Sequence, residues 1–186
     1  GPGSDNYKAK VAGGATGISS SVPEYQLNLN VAKKLKKELI SRGYDVYMIR
    51  TSNNVNISNI ERAKAANNSG ADIYIRLHAD GSDNSGAKGA SALYPTSSNP
   101  YVGYLSKKSK KLSQCILSEY CKTTGINNRG LSPRDDLTGT NWSKIPVTLI
   151  EMGFLSNPSE DEKMQDPSFQ TIMAKGIANG IDLYYK

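Results

Sequence analysis

The residues best placed for chemistry are a histidine and a glutamate, each at the end of a predicted strand. His78 is the single histidine of the chain. It lies near the end of ADIYIRLHAD (71–80), in which the two isoleucines, the tyrosine and the leucine favour a buried strand. Glu151 directly follows the apolar run VTLI (147–150). A buried carboxylate either pairs with a cation or has a raised pKa, and a raised pKa suits a general base near neutral pH. Each residue alone also fits a purely structural role.

A second carboxylate, Glu24, opens the first predicted helix. Its negative charge suits the positive end of the helix dipole, which is an ordinary helix-start feature. Glu24, His78 and Glu151 therefore indicate a functional site only if the fold brings the three side chains together.

Helices alternate with strands along the chain. In the predicted helix that begins at Glu24, apolar residues recur every three or four positions and form one apolar face. Gly43 follows this pattern and is a suitable C-terminal cap. The other predicted helices cover 56–70, 101–123 and 169–185, and strands are predicted at 44–51, 71–80, 89–95 and 147–154. A long irregular connection is predicted at 125–146. This α/β order predicts a mostly parallel twisted sheet with helices on both faces. Ligands of such sheets bind at the carboxyl ends of the strands, where His78 and Glu151 lie.

Composition limits the class of protein. The 186 residues, 37% of them hydrophobic, predict one domain spanning 1–186, of which 1–23 is a Gly/Ser-rich lead-in loop. The absence of an apolar run of about 18 residues predicts no membrane span.

The net charge of +6 favours binding to polyanions such as nucleic acid or a bacterial wall. The lysine clusters, however, lack the interleaved aromatic residues on which the bases of single-stranded nucleic acid stack. Cys115 and Cys121 are six residues apart on one helix, which disfavours a disulfide between them and a zinc site.

Several motifs occur together in a recognisable order. They are EYQLNLN from Glu24, YDVYMIRT (44–51), the Arg62 to Asn67 stretch, ADIYIRLHAD, and IPVTLIEMGFLSNPSED (145–161). Together they resemble the zinc-dependent N-acetylmuramoyl-L-alanine amidases of the Amidase_3 type, particularly clostridial-like members. The resemblance covers essentially the whole chain and is strongest at 24–80 and 145–161.

The resemblance implies a secreted or cell-wall peptidoglycan hydrolase with a six-stranded sheet. Glu24 and His78 would be zinc ligands, and Glu151 would be the catalytic base that activates a zinc-bound water. The bond cleaved would be the amide between N-acetylmuramic acid and L-alanine. From the long loop itself we further expect contacts to glycan or to peptide carboxylates, since arginine suits planar carboxylates; the candidate residues are Asn128, Arg129 and Asp135.

The sequence departs from the family at its start. Members carry another zinc-ligand histidine after an N-terminal strand, in an Asp-x-Gly-His type motif, and none precedes Glu24 here. We therefore expect the chain to begin downstream of that strand, with impaired zinc binding and amidase activity. The alternative is a natural variant whose third ligand comes from elsewhere. A missing strand would also expose a sheet edge, which invites an oligomer or a strand swap.

Two other functions are compatible with the sequence. One is a zinc peptidase that cleaves another bond, and another is a non-catalytic peptidoglycan-binding module with the same fold. Nucleic-acid binding is supported by charge alone, without a recognition motif, and is not expected. A serine hydrolase is disfavoured because no GxSxG motif is present.

Overall fold

The computed structural model describes residues 1–5, 8–10 and 13–186. Within them it contains four strands, β1 (Tyr74–Asp80), β2 (Ala90–Tyr94), β3 (Asn128–Pro133) and β4 (Val147–Phe154). The helices of the same residues are α1 (Glu24–Ser41), α2 (Asn59–Asn68), α3 (Ser106–Thr124), α4 (Thr138–Asn141), α5 (Pro158–Gln165) and α6 (Pro167–Tyr185). The helices predicted from apolar periodicity and the strands predicted at 71–80, 89–95 and 147–154 are confirmed.

The four strands form one mixed sheet in the order β1-β4-β2-β3. The β1–β4 and β2–β3 pairs are parallel, whereas β2 runs antiparallel to β4. The α/β class predicted from the sequence is therefore confirmed, with a mixed sheet of four strands in the described residues. The larger hydrophobic cluster packs α1, α3 and α6 on one face of the sheet, and a smaller cluster packs α2 on the other.

Two sequence predictions of local structure are wrong. Residues 44–51 form no strand, although YDVYMIRT has strong β propensity, because a cavity lies between most of this stretch and β1 and leaves it without a hydrogen-bonded neighbour. The connection at 125–146 is not irregular throughout, since it contains β3 and α4. The glycine and proline residues of this connection predicted a loop, but residues 128–133 pair with β2 and form a strand.

Two asparagine side chains brace the fold. Asn67 Nδ2 donates to the Trp142 carbonyl at 2.9 Å, and its Oδ1 accepts from the Lys144 amide at 2.8 Å. Asn157 caps α5 by accepting from the Glu160 amide. Both cysteines are free, as expected. Within the described part of the chain, no helix combines the length and apolar character needed to cross a membrane.

The close contact of α3 with α6 depends on glycine. A Cβ at Gly180 would collide with the backbone of Ile116 on α3, and one at Gly176 would lie 3.0 Å from the Tyr120 Cα. We expect Gly180→Ala to lower the free energy of unfolding by about 2 kcal/mol, since an extra methyl in a close-packed contact forces the helices apart. Urea denaturation measures this loss. Lys175→Ala, on the exposed side of α6, is the control. A stabilised Gly180→Ala variant, as helix propensity alone predicts, would contradict this packing.

Candidate functional site

The parallel pairing of β1 with β4 brings His78 and Glu151 to the same end of the sheet. Their Cα atoms are direct partners in the register of the two strands. Parallel strands end at the same edge, so the two residues are neighbours although 73 positions separate them in the sequence. Glu24 reaches this edge from the first residue of α1. The structure therefore brings together the three residues singled out from the sequence.

Glu24 is the most heavily hydrogen-bonded of the three. Its Oε1 lies 2.8 Å from the His78 Nδ1 and also accepts from the Ala79 amide at 3.3 Å and the Asn28 Nδ2 at 3.1 Å. Its Oε2 accepts from the Ala15 amide at 3.2 Å, which attaches the lead-in loop. Burial alone would raise the pKa of Glu24, but these hydrogen bonds and the charge of His78 hold it below its ordinary value. Glu24 is thus an ionised carboxylate at neutral pH.

Glu151 has the opposite electrostatic character. Burial raises the pKa of Glu151 to about 8, and the nearby carboxylates of Asp80 and Glu24 act in the same direction. Arg76 and Arg134 oppose the shift without cancelling it. The Oε2 atom of Glu151 is buried and has no hydrogen-bond partner among the described residues. A carboxyl group in this state exchanges a proton readily near neutral pH.

This raised pKa predicts a pH-dependent stability in metal-free protein. The unfolded chain releases the Glu151 proton near its ordinary pKa of 4.5, whereas the folded chain keeps it up to about pH 8. The stability that the protonated group confers is therefore complete below pH 4.5 and is lost as pH rises through about 8.

We expect Glu151→Gln to remove this loss. Relative to wild type, the variant should gain stability progressively from pH 5 to 8, by on the order of 3 kcal/mol. Urea denaturation at several pH values in the presence of a chelator measures the difference. A stability difference that is constant across this range would refute the raised pKa.

The donors at the site partly suit a zinc ion. Carboxylate oxygen and imidazole nitrogen are ordinary zinc ligands, and Glu24 and His78 are already in contact. A catalytic zinc takes three protein ligands. Among residues 1–5, 8–10 and 13–186, however, no group of three His, Cys, Asp or Glu side chains is arranged to hold a metal ion. Glu24 and His78 are therefore two candidate ligands, and the described residues place no third such side chain beside them.

The three residues expected to contact substrate have different surroundings. The Asp135 carboxylate accepts from the Thr96 amide and hydroxyl and from the Asn99 Nδ2, all at 2.6–2.9 Å. Asn128 and Arg129 are exposed on β3. The Arg129 guanidinium lies 5.0 Å from the Phe154 ring centroid. Contact of these residues with substrate remains a prediction.

Sequence reasoning missed two arginines near Glu151. Arg76 is buried on β1 two residues before His78, and Arg134 follows β3 and forms a bidentate pair with Asp136 at 2.7 Å. The charge of each arginine lowers the pKa of Glu151. The letter R inside the apolar run YIRLH was an available signal, because a charged residue within a buried strand needs a specific reason.

An α/β fold with an acid–histidine cluster at the strand ends defines a protein with a candidate hydrolytic centre. Residues 3–183 match the N-acetylmuramoyl-L-alanine amidase family Amidase_3. The chain therefore belongs to this family.

Solved structures and curated proteins agree with this membership. An N-acetylmuramoyl-L-alanine amidase from Clostridium difficile 630 superposes with a TM-score of 0.81 at 31% identity, covering 92% of this chain and 89% of that one. The amidase LytC of Bacillus subtilis (strain 168) is 27% identical over 91% of this chain and 32% of its own length. The probable cell wall amidase LytH of Staphylococcus epidermidis (strain ATCC 12228 / FDA PCI 1200) is 30% identical over 93% and 55% respectively. The chain thus spans between about a third and about half of these two curated relatives.

Proposed function

We propose that this chain hydrolyses the amide bond between N-acetylmuramic acid and L-alanine in peptidoglycan, as a secreted protein acting at the cell wall. The observation that carries the proposal is the convergence of Glu24, His78 and Glu151 at one end of the sheet. Family membership supports it, as do relatives named as cell wall amidases. The positive net charge of the chain suits an anionic wall.

The cofactor proposed is zinc, on which the family generally depends. Glu24 and His78 would hold the ion together with one further ligand. Zinc at this position supplies positive charge that polarises the scissile carbonyl and acidifies water. With only two ligands in the described residues, we expect this chain to bind zinc weakly and to work slowly.

Glu151 is the proposed proton carrier of the reaction. Its ionised form takes a proton from the attacking water, whose oxygen forms the new bond to the lactyl carbonyl carbon. The protonated form then gives that proton to the nitrogen of L-alanine as the amide bond breaks. The products are a muramyl carboxylate and a peptide with a free L-alanine amino terminus. Burial raises the pKa of Glu151 above its ordinary value, and a raised pKa suits a group that both accepts and returns a proton near neutral pH.

Substrate contacts are proposed on the β3 side of the site. Arg129 and Asn128 are exposed on β3, where they would contact a glycan or a peptide carboxylate. Asp135 would act there by fixing the loop at 96–99 through its hydrogen bonds to Thr96 and Asn99.

Product analysis tests the proposed reaction even when turnover is slow. Purified peptidoglycan is digested at high protein and zinc concentrations, and the soluble products are identified by mass spectrometry and amino-terminal labelling. We expect new L-alanine amino termini and glycan strands without peptide. New reducing ends, or cleavage of another peptide bond, would contradict the assignment.

A further inference from the structure

Residues 16–23 of the lead-in loop form a closed turn directly before Glu24. An antiparallel bridge joins the two ends of this segment, and the Gly17 amide donates to the Val22 carbonyl at 2.9 Å. Ser21 has a φ of 59°, in the left-handed region that residues other than glycine rarely adopt. A backbone of this kind keeps its shape only where the surrounding structure holds it. We call residues 16–23 the entry turn.

The carboxylate of Asp161, on α5, holds the entry turn from inside the protein. Asp161 is fully buried. Its Oδ2 accepts from the Ser19 and Ser20 amides, each at 2.8 Å, and its Oδ1 accepts from the Ser20 hydroxyl at 2.7 Å and from the Gln165 Nε2 at 3.2 Å. A Cβ at Gly17 would collide with this carboxylate. Burial alone would raise the pKa of Asp161, but the hydrogen bonds hold it below its ordinary value, so the anchor is ionised.

The entry turn is continuous with the contacts of Glu24. The Ser20 hydroxyl, which donates to Asp161, accepts from the Val22 amide at 3.1 Å, two residues before Glu24. On the other side of the turn, the Ala15 carbonyl accepts from the Glu24 amide at 2.9 Å, and the Ala15 amide donates to the Glu24 Oε2 at 3.2 Å. The backbone and the carboxylate of Glu24 are therefore both attached to residues that belong to the turn or flank it.

Asp161 also connects the two halves of the candidate site. It lies on the helix that follows β4, the strand that carries Glu151. The Ile18 amide of the entry turn donates to the carbonyl of Leu155, directly after β4, at 3.0 Å and reinforces this connection. Because a proton carrier is effective only in a fixed geometry, the distance between Glu24 and Glu151 matters for the rate.

We propose that Asp161 is a positioning residue, which sets the place of the Glu24 carboxylate relative to Glu151 through the entry turn. Asp161 acts through these contacts and touches no reacting atom. The effect on rate rests on the proposed function, whereas the placement of Glu24 does not.

The Ala79 amide reports the position of Glu24. It lies on β1, outside the entry turn, and donates to the Glu24 Oε1 at 3.3 Å. Nuclear magnetic resonance of the metal-free full chain measures its chemical shift and its hydrogen-exchange rate. Asp161→Asn presents a donor where the carboxylate accepts. We expect this change to move the Ala79 amide signal and to accelerate its exchange about tenfold, the effect of weakening one hydrogen bond.

Ser20→Ala tests the same connection without a change in the core. It removes the hydroxyl that joins Asp161 to the Val22 amide, and we expect the Ala79 signal to move in the same direction by a smaller amount. Ser19→Ala is the matched control. The Ser19 hydroxyl forms no hydrogen bond among the described residues, and the contact of Ser19 with Asp161 is made by its amide. This control should leave the Ala79 signal unchanged.

Kinetics with soluble peptidoglycan fragments supplies a second readout. We expect Asp161→Asn to lower kcat by about 10- to 100-fold and to leave KM unchanged, since misplacing a catalytic group by about 1 Å has an effect of this size. Gly180→Ala, which destabilises the remote contact of α3 with α6, should change neither kcat nor the Ala79 amide. A rise in KM with an unchanged kcat would assign the entry turn to substrate binding and overturn the positioning role.

The resonance data decide the proposal independently of the reaction. An unmoved Ala79 amide in Asp161→Asn, or in Ser20→Ala if Asp161→Asn does not fold, would overturn it. An equal shift in Ser19→Ala or Gly180→Ala would also overturn it, because the substitutions would then act through stability alone. If the Ala79 amide responds as expected but the wild type releases no L-alanine amino termini from peptidoglycan, the proposed function fails and the placement of Glu24 by Asp161 stands.

Discussion

Glu151→Gln is expected to reduce hydrolysis of peptidoglycan by about 100- to 10,000-fold, the usual contribution of a positioned acid–base group. Glutamine matches the shape of the protonated carboxyl but cannot accept a proton from water. The buried site tolerates the change because Glu151 is itself mostly protonated near neutral pH, at a pKa of about 8. The rate of release of L-alanine amino termini is the quantity to compare with wild type.

A matched substitution separates chemistry from folding in this experiment. Glu162→Gln makes the same change on the exposed surface of α5 and should leave the rate unaltered. Circular dichroism should be the same for both variants and for wild type. If Glu151→Gln keeps more than about a third of the wild-type rate, Glu151 is not the proton carrier.

Glu24→Ala is expected to lower the free energy of unfolding by about 3 kcal/mol even without metal, since it removes the acceptor of a buried, charge-assisted network. The substitution leaves the amides of Ala15 and Ala79 without their acceptor and removes the partner of His78. It also removes one of the contacts between the lead-in loop and α1, where the backbone hydrogen bond from the Glu24 amide to the Ala15 carbonyl remains. Urea denaturation in the presence of a chelator measures the loss.

The control for this loss is a carboxylate without such a network. Glu162→Ala on α5 should change the free energy of unfolding by less than about 0.5 kcal/mol. Equal effects of the two substitutions would mean that the Glu24 network does not stabilise the fold.

The sequence predicted those parts of the site that local patterns determine. The sequence pattern predicts the start of a helix and the ends of two strands, and Glu24, His78 and Glu151 lie at these three positions. The contact between Glu24 and His78 joins residues 54 positions apart, and no local pattern specifies it. The raised pKa of Glu151 likewise depends on burial by several elements and on charges from Asp80 and Glu24.

The wrong predictions have a common physical origin. Strand propensity describes how side chains suit a pleated surface, whereas a strand exists only with a neighbour. Residues 44–51 have high strand propensity but no neighbouring strand, and residues 44–50 line the cavity beside β1 instead. Residues 128–133 have poor propensity but pair with β2 and form β3. Arg50, Arg62 and Arg76 line the same cavity, and the sequence does not reveal this because they come from a non-helical stretch, α2 and β1.

Zinc affinity, measured by calorimetric titration of the chelator-treated chain, tests most directly whether Glu24 and His78 form the metal side of a hydrolytic centre. We predict one zinc ion per chain, bound more weakly than at a three-ligand site, and no binding in either Glu24→Ala or His78→Ala. One tightly bound zinc ion that persists in His78→Ala would contradict it, because the metal would then lie away from Glu24, His78 and Glu151.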